Sequence, residues 1–271
     1  MLGLGRAKNA VRVAIATHRR SLWIGAVHRV AALIESSYLN VGTDFATNGE
    51  RHVLERLRKA DFRLAIDGGA HLGDWSFQLL ERWPHCHIHA FEVAPETVKR
   101  LSAKADEHPD RSRLTIHGIG LSDRVGSQTM YFFPDSADLT CDIPRHETLP
   151  SIPFVAQTTT LSAICAHHRI EAIDYLKLDL EGAEYLALRG LHDLIERGRV
   201  TCIQFEYGAF SIQTRFLLKD YFSMLGDLYW IGRIFPNYVD FADYDWRMED
   251  FQFRNYLCIQ RRYPELRNLV E

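Results

Sequence analysis

The sequence lacks Cys-x-x-Cys pairs, internal repeats and low-complexity tracts, and it carries no net positive charge. Five scattered cysteines in a chain of 271 residues favour reduced thiols in a cytosolic protein over disulfides or a zinc site. No uninterrupted apolar run approaches the ~20 residues of a membrane-spanning helix. A net charge of −3 does not indicate attraction of the whole molecule to nucleic acid. We therefore expect a cytoplasmic protein without a nucleic-acid partner.

Acidic residues are absent through Ala32, whereas basic residues are frequent there. Apolar residues at helical spacing predict a helix, so we expect residues 1–45 to form a basic N-terminal helical extension and residues 46–265 to form the main domain. Arg19 and Arg20 interrupt the apolar positions, which argues against a signal peptide. Such a basic amphipathic helix could make a peripheral contact with the inner membrane face. The alternative, which we favour, is a helical cap packed on the domain.

A glycine-rich turn at residues 68–73 follows a short apolar run that ends in Asp67, and a helical pattern comes next. This is the order of a buried parallel strand, a tight loop and a helix. The loop is not a phosphate-binding loop of the Walker A type, because Gly73 is followed by Asp74. Ala70 replaces the middle glycine of the dinucleotide fingerprint, and Asp67 would repel a pyrophosphate. A carboxylate here suits a ligand with a cationic end, such as S-adenosylmethionine.

A second acid, Glu92, ends the next predicted strand, which covers residues 87–91. In nucleoside-binding Rossmann-like units, an acid at this position accepts hydrogen bonds from the ribose hydroxyls. The spacing from Asp67 is near the roughly 20 residues expected of such a pair. The two acids together therefore indicate nucleoside binding.

The remaining pattern predicts an α/β fold, which is a Rossmann-like, seven-stranded, mostly parallel sheet with helices on both faces. The last two strands, at residues 228–235 and 253–259, follow each other without a helix, so one strand should run antiparallel. This is the arrangement of the class I methyltransferases. Residues 134–157 contain four prolines and predict a long loop, either a lid or acceptor-binding segment or a passive insertion.

These motifs resemble the FkbM-type S-adenosylmethionine-dependent methyltransferases over roughly residues 45–260. The residues that carry the resemblance are Ile66-Asp67-Gly68-Gly69-Ala70-His71-Leu72-Gly73, Phe91-Glu92, Gly120-Leu121-Ser122-Asp123, Tyr175-Leu176-Lys177-Leu178-Asp179-Leu180-Glu181-Gly182-Ala183-Glu184 and Phe205-Glu206. The basic N-terminal helix lies outside it. The resemblance implies methyl transfer to hydroxyl groups of polyketides, sugars or glycolipids.

A cofactor-binding set follows from the loop and the two acids. Its members are Asp67, Gly68, Gly69, His71, Gly73, Glu92, Ser122 and Asp123. Asp67 and the backbone of Gly69 and Gly73 would position the methionine end, Glu92 the ribose, and Asp123 the adenine. The alternatives are a helix-capping acid for Asp67, an exposed strand-end acid for Glu92, and an ordinary polar turn around Asp123.

The candidate catalytic acids are Asp179, Glu181 and Glu206, which follow two neighbouring strands of the predicted sheet. A hydroxyl acceptor must lose a proton, and a positioned base accelerates such a step typically 10²–10⁴-fold. Lys177 alternates with Asp179 on one side of its strand, so an ion pair is an alternative role for Asp179.

We expect no metal site. Three carboxylates suit magnesium or calcium, but no dense oxygen-ligand loop is visible. His85, His87 and His89 alternate along one strand face, and no second cluster occurs at ligand spacing in the sequence.

The sequence thus predicts an S-adenosylmethionine-dependent O-methyltransferase with a small-molecule or glycan acceptor. Two alternatives stay open at this point. One is an NAD-dependent oxidoreductase, which is disfavoured by Asp67 and by the lack of a Tyr-x-x-x-Lys pair. The other is a non-catalytic membrane-associated scaffold of the same fold.

Overall fold

The computed structural model describes residues 2–42, 44–134, 140–141 and 150–271. The chain forms two compact units, Met1–Val41 and Gly42–Glu271. The first unit contains α1 (Leu2–Thr17) and α2 (Leu22–Tyr38), which confirms the predicted helical character of this segment. The hydroxyl of Ser21 caps α2 by accepting a hydrogen bond from the N–H of Ile24 at 3.3 Å. No helix among the described residues is both long enough and apolar enough to cross a membrane.

The second unit contains eleven strands within the described ranges. They are β1 (Leu64–Gly68), β2 (His87–Phe91), β3 (Leu114–His117), β4 (Gly120–Leu121), β5 (Gly126–Phe132), β6 (Ile152–Thr159), β7 (Ile173–Leu178), β8 (Val200–Tyr207), β9 (Tyr229–Phe235), β10 (Tyr238–Phe241) and β11 (Arg254–Gln260). The main sheet has the order β10-β9-β11-β8-β7-β1-β2-β3, and a smaller sheet has the order β4-β6-β5.

The described helices of this unit mostly connect the strands. They are α3 (Glu50–Leu57), α4 (Asp74–Arg82), α5 (Pro95–Asp106), α6 (Leu161–His168), α7 (Glu184–Arg189), α8 (His192–Glu196), α9 (Ser211–Thr214), α10 (Leu218–Leu225) and α11 (Pro264–Val270). Short 3₁₀ turns occur at Arg111–Arg113 and Trp246–Met248.

The main sheet is buried on both faces. One apolar cluster joins the sheet to α3, α4, α5 and α11, and a second joins its other face to α6, α7, α8 and α10. This explains why β1 begins with the apolar run Leu64-Ala65-Ile66, since parallel strands covered on both faces are rich in apolar residues. Leu266 and Val270 of α11 belong to the first cluster, so the expected domain end at residue 265 falls inside a helix that packs into the core.

The predicted α/β class and mostly parallel sheet are confirmed, but the strand count is eight rather than seven. β3, β2, β1, β7 and β8 are mutually parallel. β11 pairs antiparallel with β9, as expected, and also with β8. The added strand, β10, pairs antiparallel with β9 through a turn at Pro236 and Asn237. It escapes sequence reasoning because four residues in an acidic segment make a weak strand pattern.

The prediction of a long loop over residues 134–157 is wrong in part. Residues 152–157 belong to β6, which pairs antiparallel with β5. Pro153 argues against a strand, but β4 pairs with β6 only at Thr158 and Thr159. Among the described residues, the proline therefore lies where β6 pairs on one side alone, with β5, a position that tolerates a missing N–H. Residues 135–139 and 142–149 of the predicted loop lie outside the described residues.

The five cysteines, all within the described ranges, are buried thiols outside any disulfide. The expectation of thiols rather than disulfides is therefore confirmed. Burial in the two apolar clusters accounts for Cys86, Cys165, Cys202 and Cys258 without a reactive role.

Candidate active site

Parallel strands bring their carboxyl ends to one edge of a sheet, where open α/β proteins bind ligands. At this edge the structure has a cavity of about 460 Å³, which is within the range of small-molecule sites. The predicted site residues that line it are Asp67, Gly69, His71, Glu92, Ser122, Asp179, Glu181 and Glu206. Gly68, Gly73 and Asp123 do not line it.

Asp67 is fully buried at the end of β1. The hydroxyl of Ser76 donates a 2.6 Å hydrogen bond to its Oδ2 atom, whereas its Oδ1 atom is buried without a partner among the described residues. Burial raises the pKa of Asp67, and the ammonium of Lys177 opposes that shift. An unpaired buried carboxylate oxygen is costly, so a cationic ligand in the cavity would relieve it.

The glycines of the loop allow close backbone approach rather than donating to the cavity. A Cβ atom at Gly69, whose φ is +82°, would lie 1.8 Å from the carbonyl oxygen of Asp179. The N–H groups of Gly69 and Ala70 donate to the carbonyl of Phe91 at 3.0 and 2.9 Å, and that of Gly73 donates to Ala70. The missing side chain of Gly69 and these backbone hydrogen bonds therefore hold the loop after β1 close to the ends of β2 and β7.

Glu92 is held by the backbone in a fixed orientation. Its Oε1 atom accepts from the N–H of Ala94 at 2.8 Å, and its Oε2 atom accepts from the N–H of His71 at 3.0 Å. Burial raises its pKa, and these backbone bonds oppose the shift. Each carboxylate oxygen retains a second lone pair, so the group can still accept from a ligand hydroxyl.

Of the adjacent residues Ser122 and Asp123, only Ser122 lines the cavity. Ser122 is buried and lines the cavity, and its N–H donates to the carbonyl of Thr159 at 2.9 Å. Asp123 instead forms an ion pair with Arg189 at 3.3 Å. Its suggested role near an adenine stays a prediction, with an ion pair as a competing use.

The three candidate catalytic acids come together as predicted from their strands. Asp179, Glu181 and Glu206 each offer a carboxylate oxygen within 4.8 Å of the others. Lys177 donates a 2.9 Å hydrogen bond to Oδ2 of Asp179, so the ion pair considered for Asp179 is present. Glu181 has a positive φ of 56°, a conformation that non-glycine residues adopt at some cost and that is frequent at functional sites.

Glu206 differs from the other two acids. Its Oε2 atom is buried without a partner among the described residues. Burial first, and then the nearby carboxylates of Asp179, Glu181 and Glu184, raise its pKa well above the ordinary value. A raised pKa makes the ionised form of Glu206 a stronger base, which is the property that a proton acceptor needs.

Glu184 is buried rather than solvated on the surface of its helix. It accepts from the N–H groups of Leu180 and Gly182 at 2.6 and 3.0 Å. These bonds shape the turn that presents Glu181. Burial raises the pKa of Glu184 to about 7.

Sequence reasoning missed Glu50, the first residue of α3. It is buried, lines the cavity and accepts hydrogen bonds from the amides of Asn48 at 2.7 Å and Gln204 at 2.6 Å. The hydroxyl of Tyr175 donates to Gln204 at 2.7 Å and extends this network. In the sequence, only the helix start at Asn48-Gly49-Glu50 can be recognised. The other members of the network, Gln204 and Tyr175, lie more than a hundred residues away.

Two groups of metal-ligating side chains converge in the described part of the chain. They are the acids Asp179, Glu181 and Glu206, and the histidines His89, His117 and His168. The expectation of no metal stays a prediction for the acids, three of which alone do not define a site. The histidines are taken up below.

A family model described as the Methyltransferase FkbM domain matches residues 67–253. The chain belongs to the FkbM methyltransferase family. The match covers more than half of the sequence and includes the loop after β1, both acids of the predicted nucleoside pattern and the candidate catalytic acids. The resemblance inferred from the motifs is therefore confirmed.

Curated relatives of the FkbM family are distant. The 31-O-demethyl-FK506 methyltransferase FkbM of Streptomyces tacrolimicus is 28% identical over 170 residues, covering 53% of this chain and 64% of that protein. Methyltransferase 1 of Beauveria bassiana is 25% identical over 150 residues, covering 49% of this chain and 60% of that protein. The chain thus spans less than two thirds of the length of these relatives.

Among solved structures, a crystal structure of Methyltransferase FkbM from Methylobacillus flagellatus is similar to this chain. It has 15% sequence identity and a TM-score of 0.47, and the alignment covers 86% of this chain and 60% of that one.

Proposed function

We propose that the protein is an S-adenosylmethionine-dependent O-methyltransferase that acts on a hydroxyl of a sugar, a glycan or glycolipid, or a polyketide-type natural product. The observation that carries the proposal is that one cavity is lined by Asp67 and Glu92 and also by Asp179, Glu181 and Glu206. Membership in the FkbM family supports methyl transfer. The relative named for 31-O-demethyl-FK506 supports an oxygen acceptor.

The residues present fit the cofactor. When bound, S-adenosylmethionine supplies a methyl group activated by a sulfonium. Asp67 would hold the cationic methionine end, because its Oδ1 atom is buried and unpaired among the described residues. Glu92, oriented by two backbone N–H groups, would accept from the ribose hydroxyls. Ser122 would lie toward the adenine.

Glu206 is our choice for the group that accepts the proton of the acceptor hydroxyl, at its Oε2 atom. One carboxylate oxygen of Asp179 is already occupied by the ammonium of Lys177 at 2.9 Å. Glu181 lies beside both, in the turn that Glu184 organises. Burial of Glu206 in this cluster excludes water from the atom that would receive the proton, and alignment of acceptor and cofactor supplies the rest of the rate enhancement.

The smaller sheet is the proposed acceptor side. Gln128 and Met130 of β5, Thr158 of β6, and Thr140 line the same cavity as the acids. Of these four, Thr140 belongs to residues 134–157, the segment that the sequence suggested as a lid or acceptor-binding element. Their mixed polar and apolar character suits a hydroxylated small molecule or glycan.

We also propose a cytoplasmic location with a peripheral membrane contact through the N-terminal unit. Support comes from its basic residues and from the exposed apolar side chains of α2, which include Leu22, Trp23 and Leu33. Apolar and basic side chains on one helix favour an anionic membrane surface.

Isothermal calorimetry with S-adenosylmethionine, S-adenosylhomocysteine and NAD tests the cofactor. We expect the first two to bind and NAD to give no heat. Asp67→Asn and Glu92→Gln should each weaken binding at least about tenfold, since each removes a charge or a charge-assisted hydrogen bond. Glu96→Gln is the matched control, because Glu96 is exposed on α5 and paired with Lys99.

Each rival predicts a different pattern in the same experiment. Binding of NAD alone would support an oxidoreductase, and silence with all three ligands would support a non-catalytic scaffold. Unchanged affinity in both variants, with circular dichroism showing that they fold, would remove the role given to the two acids.

A further inference from the structure

Three histidines from separate elements meet on one face of the main sheet. His89 lies in β2, His117 is the last residue of β3, and His168 is the last residue of α6. The parallel register places Phe91 opposite His117 and Thr115 opposite His89. Because side chains alternate along a strand, His89, Phe91 and His117 project from the same face. α6 lies on this face, since its Leu161 and Cys165 share an apolar cluster with Phe91.

The ring nitrogens converge. Each of the three histidines offers one nitrogen within 4.8 Å of the other two, and Nδ1 of His89 lies 2.9 Å from Nε2 of His117. In a tetrahedral zinc site with Zn–N bonds of 2.0–2.1 Å, two ligand nitrogens lie roughly 3.3 Å apart. The 2.9 Å separation is close to that value, and the nitrogens of all three histidines lie within 4.8 Å of one another, near enough to share an ion.

The chemistry of the three imidazole side chains determines which class of metal ion they can bind. Imidazole nitrogens suit zinc and neighbouring transition metals, whereas magnesium and calcium prefer oxygen ligands. Burial and the neighbouring rings lower the pKa of His89 and His117 to about 4.

A packing role alone accounts for only part of the arrangement. The contact between His89 and His117 satisfies a buried polar pair, and their stacked rings, 5.2 Å apart, fill space. His168 is exposed at the end of its helix, yet its ring lies 4.7 Å from that of His89 and 5.3 Å from that of His117. Neither core packing nor buried hydrogen bonding requires this third ring.

We propose that His89, His117 and His168 form a binding site for a divalent transition metal, with zinc as the first candidate. Three protein ligands leave a fourth position for water. None of the three lines the cavity at the carboxyl edge, so the site is distinct from the proposed cofactor site and does not depend on it.

A metal here would act on the strand ends that carry the candidate active site. His117 stacks on Phe91 with ring centroids 4.4 Å apart, and its carbonyl accepts from the N–H of Glu92 at 3.1 Å. Phe91 and Glu92 both line the cavity. The ion would tie α6 to β2 and β3 directly beneath them.

Calorimetric titration of the untagged, chelator-treated full-length chain with zinc chloride tests the proposal. We expect one ion per chain with a Kd on the order of micromolar or tighter. His168→Ala should weaken binding at least tenfold, and because this residue is exposed the variant should fold. His117→Phe keeps a ring between His89 and Phe91 and should also weaken binding at least tenfold.

The chain has 13 histidines, so a matched control is needed for adventitious surface binding. His192→Ala serves this purpose, since His192 is exposed on α8 and pairs with Glu196 at 3.1 Å. Wild type and His192→Ala should gain thermal stability with zinc, because a ligand that binds only the folded state raises its stability. His117→Phe should not gain it.

A titration with magnesium chloride distinguishes binding at the three histidines from binding at the acids Asp179, Glu181 and Glu206. Any heat from magnesium should be unchanged in His168→Ala, because the histidines offer no oxygen ligands. Absence of zinc binding to the wild type, or equal zinc affinity in wild type, His168→Ala and His117→Phe, would overturn the proposal and leave a packing role for the three rings.

Discussion

Lys177 determines how the acids at the carboxyl edge coexist. Burial alone would lower its pKa, but the carboxylates of Asp179, Asp67 and Glu50 outweigh burial and raise it. Lys177 therefore stays charged and compensates part of the negative charge around the cavity. The Oε2 atom of Glu206 has no partner in the described residues. Among these acids, Glu206 therefore gains the least from the positive charge of Lys177.

Glu206→Gln should reduce methyl transfer while leaving the cofactor site intact. Removal of a general base typically costs about 10²–10⁴-fold in rate, and the amide keeps the shape of the side chain. The measurement is S-adenosylhomocysteine release with a hydroxylated acceptor that the wild-type chain methylates, found by screening sugars, glycolipids and polyketides.

The affinity of Glu206→Gln for S-adenosylhomocysteine should equal that of the wild type. Glu249→Gln is a useful comparison, because Glu249 accepts from Lys219 and Tyr244 and does not line the cavity. A rate for Glu206→Gln within a few-fold of the wild type would show that another group takes the proton.

Glu184 should make stability depend on pH. Its pKa in the folded protein is about 7, above the ordinary value near 4.5. A raised pKa means that the folded state binds the proton more tightly than the unfolded state. The resulting stability is fully present below about pH 4.5 and is lost as the pH rises through 7.

The matched variant for this effect is Glu184→Gln, which cannot titrate. Urea unfolding at pH 5 and pH 8 should show that the free energy of unfolding of the wild type falls more between these values than that of the variant. The other titrating groups are shared and cancel in the difference. Parallel pH profiles for the two proteins would contradict the assigned shift.

At the scale of secondary-structure elements, the exposed apolar residues of α2 allow the proposed membrane contact to be tested. Leu22 and Trp23 are 90% and 84% exposed, and arginines and a lysine precede and follow them. We expect the full-length chain to co-sediment with phosphatidylserine vesicles, less at higher salt, and to bind less after Leu22→Ala with Trp23→Ala. This follows because apolar insertion and charge attraction act together.

Trp246→Ala controls for loss of an exposed tryptophan, because Trp246 is 74% exposed outside the N-terminal unit. It should bind vesicles like the wild type. Equal binding to neutral and anionic vesicles, or none to either, would favour the helical cap over the membrane contact.

For the whole molecule, the proposed cofactor site predicts ligand-dependent thermal stability. S-adenosylhomocysteine at a hundred times its Kd should add about 2.7 kcal/mol, which corresponds to a rise in Tm of about 5–10 °C for a domain of this size. NAD at the same concentration should leave Tm unchanged. Scanning calorimetry measures both.

The Asp67→Asn variant, with an affinity at least about tenfold weaker, should lose about half of this rise or more at the same ligand concentration, and Glu96→Gln should keep it. A full rise in Asp67→Asn would mean that the ligand binds without the acid at the end of β1. No rise in the wild type would remove support for the cofactor at this site.

The sequence predicted most of the fold because the decisive signals are local. Apolar runs that end in Asp67, Glu92 and Asp179 identify buried parallel strands, and a ligand-binding edge follows from their direction. The weaker signals failed where context decides: β10 is four residues long, and β6 contains a proline that only its one-sided pairing makes acceptable. Glu50 was invisible because its partners, Gln204 and Asn255, are remote.

By itself the sequence determined the family, the order of the central strands and the acids that follow them, since these depend on residue type and spacing along a few segments. Only the tertiary structure decided which atoms are left unpaired, that Lys177 engages Asp179, and that His89, His117 and His168 share one place. Those properties depend on distances between segments far apart in the chain, and burial then sets their charge.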